Sequence, residues 1–84
     1  EHIERELMMI KVRAEGDARS EAKRLCEIFR GNIVDVTASS YIIEVTGAAS
    51  KLDALIAAFD ENSIIEVVRS GTTGIPRGLM GLHV

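Results

Sequence analysis

The side chains able to do chemistry are few and far apart. The chain carries one cysteine, Cys26, and two histidines, His2 and His83, the latter two near opposite ends. Nucleophilic or acid–base catalysis needs a nucleophile, a base and an orienting group that converge on one point. Cys26 falls on the apolar stripe of a helix, where a thiol packs as a small core group, and each histidine stands alone in a terminal segment. The carboxylates are spread along helix surfaces and strand exteriors, and no His, Cys or carboxylate cluster has metal-ligand spacing. Gly71, Gly74, Gly78 and Gly81 make a glycine-rich run, but no helix start follows them, as a phosphate cradle would require. Hydrolysis of an acyl phosphate would want a cationic loop after the first strand. Glu15-Gly16-Asp17 is acidic there, with only Arg19 nearby. The inventory points to a domain that binds rather than catalyses, with no catalytic and no metal-ligating residues.

Composition narrows the kind of partner. A chain of 84 residues is one domain, and at this size folding buries only roughly 60% of the unfolded chain's surface, so a partner is expected to add stability. Thirteen acidic against ten basic residues give a net charge of −3, which opposes the counterion release that nonspecific nucleic-acid binding depends on. Membrane contact is not expected either, because no apolar run approaches the roughly 20 residues of a span and no signal-peptide pattern precedes the first strand. A single cysteine cannot form an internal disulfide, which fits a reducing compartment. The chain begins at Glu1 without methionine, as expected of a fragment or a processed product.

Periodicity supplies the elements. Residues 1–6 are charged and are expected to be the frayed end of a linker. Residues 7–14 alternate as a strand, with Met8, Ile10, Val12 and Ala14 on one face and Leu7, Met9, Lys11 and Arg13 on the other. Asp17 is the expected N-cap of a helix over residues 18–30, whose Ala22, Leu25, Cys26 and Phe29 recur at i, i+3, i+4 and i+7. Gly31 is expected to take the left-handed conformation that stops it. Ile33, Val34 and Val36 then form a strand, Ala38-Ser39-Ser40 a reversal, and Tyr41, Ile42, Ile43 and Val45 the returning strand. A second helix runs to about residue 61, with Ser50 and Asp53 spaced as a capping box. Its Leu52, Leu55, Ile56 and Phe59 repeat the first stripe about 30 positions on, and Asn32-Ile33-Val34-Asp35-Val36 matches Ser63-Ile64-Ile65-Glu66-Val67.

Two such halves give βαββαβ, an α+β ferredoxin-like sandwich, with a four-stranded antiparallel sheet covered by both helices on one face. The expected helix-facing residues are Met8, Ile10, Val12, Val34, Val36, Tyr41, Ile43, Val45, Ile65 and Val67. The other face would carry Leu7, Met9, Ile33, Ile42, Ile64 and Val68 among Lys11, Arg13, Asp35, Glu44 and Glu66. That is too apolar for a face left in water, so these six are the candidate subunit interface. RNA recognition on this face would want stacking aromatics, whereas Tyr41 points inward and Phe29 and Phe59 lie on helices. The domain is expected to span 1–71, followed by a glycine-rich tail, 72–84, that leaves the sheet. There Arg69 and Arg77 are candidate partner contacts by pairing with carboxylates or phosphate, and Leu79, Met80, Leu82 and Val84 want something to dock on.

Several stretches also carry a family resemblance. Ile28-Phe29-Arg30-Gly31-Asn32-Ile33-Val34-Asp35-Val36-Thr37 resembles the regulatory (small) subunit of acetohydroxyacid synthase, also called acetolactate synthase. Glu4-Arg5-Glu6-Leu7 with Met8-Met9-Ile10-Lys11 looks like the opening of that subunit's C-terminal domain. Gly47 with Lys51-Leu52-Asp53-Ala54 looks like its second helix, and Glu66-Val67-Val68-Arg69-Ser70-Gly71 like its last strand. The resemblance implies a noncatalytic domain whose partner is the large catalytic subunit, which such subunits activate and subject to feedback inhibition by branched-chain amino acids, chiefly valine. It implies that thiamine diphosphate, FAD and magnesium belong to the catalytic subunit and that this chain holds no cofactor. It further implies an effector-binding N-terminal ACT domain that this chain lacks, a homodimer or higher oligomer, and a place in the bacterial or archaeal cytoplasm or in a eukaryotic organelle. Two other readings stay open: a free-standing ACT-like module that binds a small amino acid, and an acyl-phosphatase-type enzyme.

Overall fold

Strand β1, His2–Arg13, is the spine of the computed structural model, which describes residues 2–78. Its residues Met8, Ile10 and Val12, and Ala14 just beyond its end, are fully buried, as alternation dictates for a strand with one face on the core. Helix α1, Asp17–Ile28, follows, then β2, Asn32–Val36, and β3, Ser40–Gly47. Helix α2, Ala49–Ala58, leads through a 3-10 turn, Glu61–Ser63, into β4, Ile64–Arg69, and finally β5, Thr73–Pro76. The sheet order is β2-β3-β1-β4 with antiparallel neighbours, the ferredoxin-like βαββαβ arrangement. Tyr41, Ile43 and Val45 of β3 meet Ala22, Leu25 and Cys26 of α1 and Leu52 and Leu55 of α2 in one core, closed by Phe59.

The outer strands depart from simple alternation, and for the same reason. Ile33 stands opposite Ile43 while Asp35 stands opposite Ile42, so Val34 is an extra, bulged residue. In β4, Glu66 stands opposite Lys11 and Ile64 opposite Val12, so Ile65 is bulged at the matching position of the repeat. Each bulge reverses the faces of the residues before it. Ile33 and Ile64 therefore lie on the helix face and pack against the core, not on the open face. Val34 and Ile65, expected in the core, are 51% and 46% exposed. Val36 and Val67 do face the helix side, opposite Tyr41 and Ile10, but at the sheet margins they remain 57% and 37% exposed.

Four helix ends also differ from expectation. Gly16, with φ of 56°, caps α1 in place of Asp17, whose carboxylate sits in the first turn without a capping bond; there it still favours the positive end of the helix dipole. Ala48 precedes α2, so Ser50 lies inside the helix and the expected capping box is not made. The second helix ends at Ala58, and Asp60 caps the 3-10 turn by accepting from the Asn62 amide. At the end of α1 the left-handed residue is Arg30, φ 59°, not Gly31. The Arg30 amide donates to Glu27 O (3.1 Å) and the Gly31 amide to Cys26 O (2.8 Å), a Schellman closure. Gly31 is needed for space instead: a Cβ there would lie 3.0 Å from Ile43 Cγ2 and 3.1 Å from Glu44 O.

Both outer segments of the described residues join the sheet. β3 ends at Gly47 opposite Glu6, and beyond that point His2–Arg5 pairs with Thr73–Pro76 of β5. Residues 2–6 are thus strand and not frayed linker, and the chain after Ser70 returns to β1 through a kink at Gly71, φ 84°. Gly74 permits the approach, since a Cβ there would sit 3.2 Å from the Ile3 carbonyl oxygen. The resulting two-stranded arm extends the sheet along β1, and the molecule measures 52 Å by 19 Å by 18 Å. Leu79, Met80, Leu82, His83 and Val84 lie outside the described residues.

Candidate association surface

The open sheet face is built by the register of β1 with its two neighbours. Glu44, Met9 and Val68 lie in one row, and Ile42, Lys11 and Glu66 in the next, with Asp35 opposite Ile42 on the outer strand. Met9 is 38% and Val68 49% exposed, and Leu7 and Ile42 are half-buried. Met9, Lys11, Ile42, Glu66 and Val68 line a shallow depression of about 160 Å³. Of the six residues expected to form this surface, Leu7, Met9, Ile42 and Val68 are on it. Ile33 and Ile64 are not, because the two bulges turn them to the core. The result is a small apolar patch bordered by Asp35, Glu44 and Glu66 and crossed by Lys11, suited to covering by another protein surface.

On the helix side, a charged network fixes the base of the arm. Arg69 donates to both Glu6 carboxylate oxygens, at 2.9 and 2.8 Å, and to Asp53 Oδ1 of α2 at 2.6 Å. The Gly71 amide donates to Glu6 Oε2 at 3.3 Å, and the Ser70 amide and hydroxyl continue the β1 ladder at Leu7. Arg69, expected to contact a partner, is thus engaged within the chain. Arg77 lies exposed just past β5. Glu6 and Asp53 were absent from the expected site residues. Strand parity could have found Glu6, since it shares the face of Met8 and Ile10.

The network has a pH signature. The hydrogen bonds from Arg69 hold the Glu6 carboxyl below its ordinary value of 4.5, against the opposing effect of burial. A carboxyl with a lowered folded-state pKa stabilises the fold fully above its unfolded value, and that contribution is lost as pH falls through the folded one. Glu6→Gln is therefore expected to unfold at lower denaturant than the parent at pH 7, with the gap closing below about pH 4. Urea titrations across pH check this, and a gap unchanged at about pH 3 would contradict it.

The remaining reactive groups are structural. Arg19 donates to the carbonyls of Ala14, Thr37 and Ala38 at 2.8, 3.1 and 3.2 Å and lies 4.7 Å from the Tyr41 ring centroid, tying the hairpin to α1. It is a clamp on backbone carbonyls, with no geometry for holding a phosphate. The Cys26 thiol is buried, which pushes its pKa up, with Glu27 adding to the effect; it is protonated and a poor nucleophile. Among the described residues no group of three His, Cys, Asp or Glu is placed to hold a metal ion, and no helix is long and apolar enough to cross a membrane.

Comparison with known proteins adds what geometry alone does not give. Residues 5–78 match the family model described as the small subunit of acetolactate synthase. The acetolactate synthase small subunit of Haemophilus influenzae is 53% identical over 93% of this chain and 48% of its own length. The isozyme 3 small subunit of Escherichia coli is 50% identical over 92% of this chain and 48% of its own. The crystal structure of the Thermotoga maritima small subunit superposes with a TM-score of 0.88 at 39% identity, over 94% of this chain and 48% of that one. The chain thus spans about half the length of these relatives. With its ferredoxin-like fold and a match across nearly all of its described residues, the chain belongs to the acetolactate synthase small-subunit family.

Proposed function

We propose that this chain is a noncatalytic regulatory domain of acetolactate synthase, which binds and activates the catalytic subunit and supports its feedback inhibition by branched-chain amino acids, chiefly valine. The observation that carries the reading is the 53% identity to a small subunit over 93% of the chain. On this reading thiamine diphosphate, FAD and magnesium reside on the catalytic subunit, and the work is done in the bacterial or archaeal cytoplasm or in an organelle. A relative from Arabidopsis thaliana, 44% identical, is named as chloroplastic. Small subunits associate with one another through Leu7, Met9, Ile42 and Val68 of the open face, in a dimer or higher oligomer. Calorimetric titration of the chain into the catalytic subunit tests the regulatory role: saturable binding supports it, and its absence overturns it.

A further inference from the structure

We propose that the open face and the arm form one self-complementary stripe, on which a second copy packs antiparallel, each arm lying over the acidic half of the other's sheet. The proposal rests on the reading that copies associate through this face. It adds the orientation of the partner copy and the part played by the arm.

The stripe follows from β1. That strand carries no bulge of its own over its 12 residues, so alternation places Ile3 and Arg5 on the same face as Leu7, Met9 and Lys11. Ile75 stands opposite Ile3, and the two are 67% and 40% exposed. At about 3.4 Å per residue the stripe runs roughly 27 Å from Ile3 to Lys11. A two-stranded ribbon has little stability of its own in water, so the apolar side of the arm gains from being covered.

Charge selects the orientation. Among the described residues the Arg5 side chain donates only to the neighbouring Glu4 carbonyl, at 2.8 Å. At the other end Asp35, Glu44 and Glu66 stand around Lys11. Among the described residues the ion pairs are Arg24–Glu21, Arg69–Glu6 and Arg69–Asp53, so among those residues neither Arg5 nor these three carboxylates has an ion-pair partner. A two-fold axis along the strands would set arm on arm, with Arg5 facing Arg5 and acids facing acids. A two-fold axis across the strands brings Arg5 of each copy to the carboxylates of the other. It also lays the Ile3–Ile75 pair on the patch of Met9, Ile42 and Val68. Opposite charges across an interface fix register and like charges oppose it, so the antiparallel arrangement is favoured.

Sedimentation equilibrium at low ionic strength reads this out. Arg5→Glu is expected to raise the self-dissociation constant about tenfold, as is Glu66→Arg, and the two together to return it to within about threefold of the parent. The effects should shrink in about 0.5 M salt, where exposed charges are screened. Arg5→Ser, a milder change, should give about threefold and guards against loss of fold, which circular dichroism checks. Association that is unchanged or tightened by Arg5→Glu overturns the antiparallel stripe while leaving the open face as the contact. A chain that stays monomeric overturns both, and the catalytic-subunit titration reports separately on the regulatory reading.

Discussion

Replacing Ile43 with alanine is expected to destabilise the fold by about 2–5 kcal/mol, the range for truncating a large aliphatic group in a close-packed core. Ile43 is fully buried at the centre of the helix face, opposite Ile10 on one side and Ile33 on the other. The backbone has been shaped to it. Gly31 brings the end of α1 so near that even a methyl group there would crowd Ile43 Cγ2 at 3.0 Å. A chain of 84 residues has about 4–13 kcal/mol of stability in all, so this one truncation removes a large share of it. The denaturant midpoint should fall sharply with an unchanged slope. A loss below about 1 kcal/mol would mean that the site collapses around the cavity and that Ile43 is not the centre of the core.

One position earlier the expected outcome is reversed. Ile42 points to the open face, where with Met9 it lines the shallow depression. Ile42→Asp combined with Met9→Lys should leave the fold intact at a cost of about 1 kcal/mol per site, since Met9 is exposed and Ile42 only half-buried. Self-association should weaken by about a hundredfold or more, because each charge would have to be stripped of water at the centre of an apolar contact. Sedimentation checks this, and an unchanged oligomeric state with the fold intact would show that the surface is not the interface. Adjacent isoleucines with opposite consequences are what strict alternation in a central strand demands.

Alternation was legible wherever a strand is flanked on both sides. Met8, Ile10, Val12, Tyr41, Ile43 and Val45 fall in the core as their spacing requires, and the two helical stripes and their order suffice for the ferredoxin-like topology. The outer strands were not legible in the same way. The repeat of Asn32–Val36 in residues 63–67 is visible in the residues, but the bulge each copy carries is not: an extra residue changes the register, and no side-chain type announces it. Ile33 and Ile64 moved to the core face on that account. The arm was hidden by composition. Charged residues 1–6 and a glycine-rich return suggest chain ends, yet Gly71 and Gly74 serve a kink and a close backbone approach that let β5 pair with β1. Arg69 read as a free cation because its carboxylate partners, Glu6 and Asp53, are distant in sequence and meet only after the fold has formed.

The regulatory role is tested most directly by titrating the chain into the catalytic subunit of acetolactate synthase in a calorimeter, with and without valine, and titrating valine into the chain alone. Saturable binding to the catalytic subunit, with no heat from valine and the chain alone, is the predicted result. Valine binding by the chain together with no affinity for the catalytic subunit would contradict it and identify an independent amino-acid-sensing module.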